Sequence, residues 1–360
     1  MLFWPYAPLC LMTRTMRSVS STLFWWLDYL QLFHTPQPEG VVDILTLMAY
    51  DYSDLKADST WQESYSDDNT GEKFLKAIAI FYQGRKEATP EVADRLISFL
   101  KQQGYEVRVV DTRYEGEETP DPALRGYDLA VVLGGDGTIL HAARICAYAD
   151  IPIVGINFGR VGFLSELEPA DLESHLPYYV DGDSSVWLDK RAMLHAVLEQ
   201  DGKTEEFLAL NDVIIARGMW PRVVQMSIWI DDFFYNTTHA DGVIVSTATG
   251  STAYNMAVGG PLLHPQVQST VLTPIAPHLA LNRSLVLPPE ATVKLQIFTG
   301  LQNGVFSADG QMNREIQNGA TITVRKSQFV TQFLRRRKPT QFYHIINAKL
   351  YNVDDEAPGH

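Results

Sequence analysis

Residues 129–138 read Leu-Ala-Val-Val-Leu-Gly-Gly-Asp-Gly-Thr, an apolar run of strand length that ends in a glycine-rich turn holding one acid. Such a run, bounded by glycines, fits a strand buried on both faces, the kind found in parallel sheets. In those sheets ligands bind in the crevice at the carboxyl ends of the strands. Gly134, Gly135 and Gly137 leave backbone N–H groups open to close approach by phosphate. Asp136 is a poor neighbour for phosphate unless it handles a proton or a metal ion. Phosphoryl transfer is the chemistry this combination points to. The competing reading is purely structural: a tight strand-to-helix turn with Asp136 as the helix cap.

The surrounding pattern predicts a parallel α/β sheet. Strands are expected at Lys76–Tyr82, Tyr105–Val110, Leu129–Leu133 and Ile151–Ile156. Between them, Thr89-Pro90-Glu91 opens a helix with Val92, Leu96 and Leu100 on one face, and Thr138–Tyr148 reads as a second helix. Strand–helix alternation of this kind implies parallel pairing. After about residue 185 the period changes to two. Met193–Glu199 and Glu206–Leu210 flank Asp201-Gly202, a hairpin signature, and Asp231-Asp232 turns the alternating run from Val224 into Phe233–Tyr235. Further β-rich runs at 243–247, 292–298, 303–308 and 320–325 make the second part mostly antiparallel β, interrupted by one helix near Ser251–Val258.

The expected organisation is therefore an extension over 1–70, an α/β domain over 71–182 and a β-rich domain over 183–328. A C-terminal segment (329–350) is expected to pack back on the first domain, and 351–360 to form a tail. The extension mixes Trp, Phe and Leu with an acidic stretch at 51–72, as a poorly ordered leader and linker would. No apolar run reaches the 18 or so residues a membrane span needs. The net charge of −14 argues against a nucleic-acid partner. Arg335-Arg336-Arg337-Lys338 is the one dense basic run, read as a solvated helix end or tail. Cys10 and Cys146 suggest neither a disulfide framework nor a zinc site, which fits the cytoplasm.

Three more segments carry chemistry. Gly155–Leu164 follows the fourth strand, with glycines at 155, 159 and 162 whose spacing fails the dinucleotide fingerprint; Arg160 there is either a phosphate partner or solvated. Ser246–Thr252 places five hydroxyl residues in seven ahead of a helix, a good setting for an anion or a polar ligand edge, and Tyr254 adds an aromatic face. Asn211-Asp212 lies in the apolar run Leu208–Ile215, as a strand edge or as a buried pair aimed at a ligand. Walker A, protein-kinase, His-Glu-x-x-His and G-x-S-x-G signatures are absent from the sequence.

Over roughly residues 76–330 the chain resembles the ATP-dependent (polyphosphate-using) NAD kinase family. The strings that carry this are VVLGGDGTILHAAR (131–144), IPIVGINFGRVGFLSELEP (151–169), LALNDVI (208–214), DGVIVSTATGSTAYNMAVGGPLLHP (241–265), TPIAPHLALNRSLVLP (273–288) and ADGQ (308–311). GGDGT alone is shared with lipid kinases and phosphofructokinase-like enzymes; its combination with NxGxxGF and TGSTAYN is specific. The resemblance implies an α/β domain of phosphofructokinase-like type and a β-rich domain, with NAD and ATP meeting between them. It implies Asp136 as catalytic base, with Gly135, Gly137 and Thr138 in the nucleotide turn, and Asn211 and Asp212 bonding the dinucleotide. Thr249, Thr252, Ala253, Tyr254, Asn255, Met256 and Ala257 match the adenine and ribose segment. Asp241 matches a contact to the nicotinamide end, and Phe163, Arg222, Ala276 and Gln311 match further lining positions. Magnesium and a homodimer or homotetramer are implied as well. The sequence departs from the family at Ala248, where proline is usual, and His239 holds a variable position linked to NAD-versus-NADH preference. A kinase of another hydroxyl (lipid or sugar) and a non-catalytic NAD(P)-binding sensor are the alternatives, the second disfavoured by the acid at 136.

Overall fold

The computed structural model describes residues 75–82, 88–111, 124–158, 162–219, 222–278, 283–300 and 302–351. The expectations for the 1–70 extension, the acidic loop at 113–122, Arg160 and the tail beyond 351 lie outside these residues.

The first part is built from β1 (Ala77–Tyr82), α1 (Ala88–Gln102), β2 (Glu106–Asp111), β3 (Leu129–Leu133), α2 (Asp136–Ala149), β4 (Ile153–Ile156) and α3 (Leu172–Val180). The strands pair in parallel in the order β2-β1-β3-β4. Successive side chains of a strand point to opposite faces, and two separate cores follow from that. Ile78 and Ile80 pack with Leu96 and Leu100 of α1 and Leu176 of α3. Ala79 and Phe81 pack on the other face with Ile139, Ala142, Ala143 and Cys146 of α2. Burial on both faces is why these strands read as unbroken apolar runs.

The second part begins with β5 (Trp187–Gln200), β6 (Lys203–Ala209), β7 (Asp212–Arg217), β8 (Val224–Ile230), β9 (Phe233–Ala240) and β10 (Gly242–Ser246). After the short helix α4 (Tyr254–Ala257) come β11 (Thr270–Ile275), β12 (Leu285–Leu287), β13 (Val293–Phe298), β14 (Gly304–Ala308), β15 (Met312–Ile316), β16 (Thr321–Arg335) and α5 (Gln341–Tyr351). A six-stranded antiparallel sheet, β12-β11-β10-β7-β14-β15, faces the antiparallel half of a ten-stranded sheet. Leu194, Phe207, Met226, Leu295 and Ile322 from one sheet meet Val213, Ile215, Val243, Val245 and Phe306 from the other in a single apolar layer. Both predicted tight turns are present, with positive φ at Asp201 and Gly202 and at Asp231 and Asp232, as a type I′ turn requires.

Three features depart from the sequence reading. The strand expected at 320–325 runs on to Arg335. Its start, Thr321–Val324, pairs with β13, its end pairs in parallel with β4 through Phe333 and Ile153, and β5 lines nearly all of it. One sheet therefore passes continuously from the α/β part into the β-rich part. The apolar run 208–215 is two strands, broken at Leu210-Asn211 where the chain crosses between sheets. The helix expected at 251–258 is a 3-10 turn (Gly250–Thr252) and a four-residue helix, interrupted at Ala253.

Candidate active site

Asp136 does not cap its helix. Gly135 holds the cap position in extended conformation with no side-chain cap bond, and Asp136 begins α2. Its carboxylate turns instead to the loop after β4, where Oδ2 accepts from Phe163 N at 3.1 Å and Oδ1 from Leu164 N at 3.2 Å. The structural alternative for this residue is thereby corrected. Gly162 is what lets the loop come this close, because a Cβ there would overlap the Asp136 carboxylate. Gly134 is needed in the same way, with a Cβ there running into the Thr138 side chain. Gly137 is exposed beside Asp136. Its carbonyl accepts from Gln311 Nε2 at 2.7 Å, which joins the glycine turn to the β14–β15 turn.

That second turn carries Asp309, a fully buried carboxylate. Oδ2 accepts from Leu210 N at 2.9 Å and from Arg144 Nη1 at 3.1 Å; Oδ1 accepts from Asn211 N at 2.7 Å and Asp212 N at 3.2 Å. Arg144 comes from α2 and also donates to Gln311 Oε1 at 2.6 Å. Burial pushes the Asp309 carboxyl upward, against the pull of Arg144 and the three N–H donors. Asp212 is 3% exposed. Burial first, and the charge of Asp309 second, push its carboxyl up to about 7.

The hydroxyl-rich loop is held by bonds within the fold. Thr247 Oγ1 donates to Leu210 O at 2.6 Å, Ser251 Oγ to Ala248 O at 2.7 Å and Thr252 Oγ1 to Thr249 O at 3.2 Å. Ser246 Oγ donates to backbone carbonyls too, and Thr249 Oγ1 accepts from Arg191 at 3.3 Å. All five are buried. Ser246 and Thr247 hold the loop to the β6–β7 crossover, Ser251 and Thr252 close its own turn, and the single helical turn after them is too short to present a sizeable dipole. Asn255 is likewise fully buried, donating to Ser251 O and Pro261 O and accepting from Thr273 Oγ1 at 2.7 Å. Ala253 and Met256 are half-buried, and Tyr254 and Ala257 are exposed. Phe163 lies with its ring 6.4 Å from that of Phe342 and under the Lys349 ammonium, both on α5.

The remaining predicted residues gather elsewhere. Asp241 precedes β10 and pairs with Arg217 at 3.0 Å. His239 is exposed on β9, and its carbonyl accepts from His278 N at 2.7 Å. Ala276, after β11, is held in the left-handed region at φ 43°, a costly conformation for a residue with a Cβ. Arg222 is exposed before β8. Asp241 and the Asn211 crossover stand at opposite ends of β10, roughly 17 Å apart at the rise of an extended strand.

Sequence reasoning missed Arg144, Asp309, Arg191, Asp189, Glu166 and Arg335. Asp309-Gly310 carries the Asp-Gly signal of a hairpin turn, and both residues have positive φ; that signal gave no hint that the carboxylate is buried. Arg335 corrects the reading of the basic run: it is buried, Arg337 is half-buried, and Arg336 and Lys338 are exposed.

A glycine-and-aspartate turn on a parallel sheet, seated against an antiparallel β sandwich, places the chain among two-part nucleotide phosphotransferases. Residues 78–184 match the ATP-NAD kinase N-terminal domain and 210–336 the ATP-NAD kinase C-terminal domain. The NAD kinase of Heliobacterium modesticaldum is 36% identical over 282 residues, covering 77% of this chain and 99% of that protein. The NAD kinase of Dehalococcoides mccartyi strain BAV1 is 37% identical over 277 residues, covering 76% and 96%. The chain belongs to the NAD kinase family. Its fold is also that of a yeast NADH kinase solved with NADH (TM-score 0.69, 24% identity, 81% of this chain and 91% of that one). An Archaeoglobus fulgidus NAD kinase solved with ATP shares it too (TM-score 0.60, 24% identity, 78% and 100%).

Gly162→Ala keeps an allowed backbone but displaces the Asp136 carboxylate, so turnover falls by about 10²-fold while the melting temperature changes little; steady-state kinetics beside a thermal melt reads both. Asp212 has a raised native pKa, so its contribution to stability is present in full below its ordinary value of 3.8 and is lost as pH rises towards about 7. Asp212→Asn therefore melts higher than the parent at pH 8 and equal to it near pH 4, as a pH series of melting curves will show.

Proposed function

We propose that the chain transfers the γ-phosphate of ATP to the 2′-hydroxyl of the adenosine ribose of NAD, with Asp136 as the base. The observation that supports this most is the Asp136 carboxylate itself. Two N–H groups orient it from the loop side, and it stands at the carboxyl end of β3 in a turn of small residues. A base so oriented can take the 2′-hydroxyl proton as that oxygen attacks phosphorus in line. The bond from phosphorus to the ribose oxygen forms as the bond to the departing ADP oxygen breaks.

The two ends of β10 suit a long ligand. The adenosine end is assigned to the surface of Tyr254, Ala253, Phe163 and the Asn211–Asp212 crossover, next to Asp136. The nicotinamide end is assigned to Asp241, with Ala276, His239 and Arg222 near it in the chain or the sheet. Thr249, Thr252 and Asn255 support the adenosine side by holding the loop.

Among the described residues no group of three or more His, Cys, Asp or Glu side chains is arranged to hold a metal ion. As the family resemblance implies, magnesium is assigned to the ATP phosphates, where it would neutralise charge on the transferred group. Gly135, Gly137 and Thr138 line that phosphate path. Among the described residues no helix is long and apolar enough to cross a membrane. A homodimer or homotetramer in the cytoplasm completes the proposal.

The test is an assay coupled to an NADP-specific dehydrogenase, run with NAD and NADH and with ATP and polyphosphate. The parent forms NADP from NAD and ATP. Asp136→Asn keeps the shape, removes the base and lowers turnover by about 10² or more. A near-normal rate in that variant rules out the assignment of the base.

A further inference from the structure

Arg335 is a buried arginine whose use nothing above accounts for. Its Nη1 donates to Leu164 O at 3.0 Å, to Ser165 O at 3.1 Å and to Glu166 Oε2 at 3.3 Å. Its Nε donates to Asp189 Oδ2 at 3.3 Å. We propose that Arg335 is a positioning residue for phosphoryl transfer, setting the Asp136 carboxylate through the loop Gly162–Glu166. This rests on Asp136 being the base.

Leu164 carries the argument. Its N–H donates to Asp136 and its carbonyl accepts from Arg335, so one residue is gripped at both ends. Phe163, the other donor to Asp136, immediately precedes it. Arg335 is itself anchored on both sides. Glu166 Oε1 accepts from Tyr179 OH at 2.9 Å, Arg336 N at 2.8 Å and Arg337 N at 3.1 Å, which leaves Oε2 for Arg335. Asp189 is held bidentately by Arg191, at 2.8 and 2.5 Å. Burial opposes its charge, yet the two arginines keep its carboxyl below the ordinary range. Phe333, at the seam where β16 meets β4, lies under both guanidiniums, 4.7 Å from that of Arg335 and 5.8 Å from that of Arg191.

The chain of contacts continues to the second site segment, because Arg191 Nη1 donates to Thr249 Oγ1. A buried run Glu166–Arg335–Asp189–Arg191 thus links the loop that holds Asp136 to the loop that carries Thr252 and Tyr254. A planar fork of donors can serve adjacent carbonyls and two carboxylates at once, whereas an ammonium is a single point charge. Buried ion pairs of this kind add little net stability. Specifying where the loop sits is the effect that remains.

The experiment is a double-mutant cycle on the full chain with Arg335→Lys, Asp136→Asn and the pair, with thermal melts for every protein. Lysine keeps the charge that Asp189 and Glu166 need, so the variant folds. It should lower kcat by about 10²-fold, the effect of a misplacement of order 1 Å, and move KM for NAD by less than about threefold. With Asp136→Asn in the background, Arg335→Lys should change the remaining kcat by less than about twofold, since its route of action is gone. Glu166→Gln leaves Arg335 in place, weakens its anchor and gives the same split with a smaller loss. Unchanged kcat in either folded variant overturns the proposal, and so do equal fold-losses in both backgrounds, which mark a general structural support. A near-normal rate in Asp136→Asn alone overturns the base assignment first, and this proposal with it.

Discussion

One carboxylate organises the junction on which the site depends. The two oxygens of Asp309 accept four bonds, three from consecutive backbone N–H groups of Leu210, Asn211 and Asp212 and one from Arg144. An ionised carboxylate has about four such acceptor positions, so all are used. The partners come from two places, the helix that begins with Asp136 and the crossover that carries Leu210, Asn211 and Asp212, and they meet on the β14–β15 turn that carries Asp309 itself and Gln311. Without this anchor the crossover would have two buried N–H groups and one half-buried one with no acceptor, at a cost of roughly 1–3 kcal/mol for each buried one. The ion pair itself adds little net stability, since both charges had to leave water. What it does is fix one relative position of turn, crossover and helix.

A second constraint is the length of β16. Because that strand pairs with β13 at one end and β4 at the other, the α/β part and the β sandwich share one sheet. The loop after β4 is then a neighbour of the strand that closes the sandwich, and Arg335 reaches it from there. The site segments are widely separated in sequence but lie on one continuous hydrogen-bonded frame.

Much of the frame was legible in the sequence, and the reasons are specific. Leu129–Leu133 is strand and nothing else because it is buried on both faces and bounded by glycine. Asp201-Gly202 is a hairpin because both positions need positive φ, and Asp231-Asp232 shows that two aspartates also meet that need. The polar pair Asn211-Asp212 correctly marked something unusual in an apolar run, but a linear pattern cannot show that the run is two strands in different sheets. The internal bonds of the hydroxyl-rich loop were not legible for a related reason. Hydroxyls suited to a ligand are equally suited to nearby carbonyls, and which they meet depends on the crossover folded against them. Arg335 was read as solvated because three of its neighbours in the basic run are cationic, and charge clusters are usually wet. Its burial follows from β16 running ten residues past the expected end, a pairing with β4 that no local pattern encodes.

Everything else at the junction depends on Asp309 and Arg144 holding the crossover in solution. Amide hydrogen exchange at Leu210, Asn211 and Asp212 measures this directly, in the parent chain and in Arg144→Met, with the β3 amides as an internal reference. The account predicts strong protection of all three in the parent, and a loss of about 10-fold or more in the variant while β3 keeps its protection. Unchanged protection at the crossover, or a loss equal to that in β3, would contradict it.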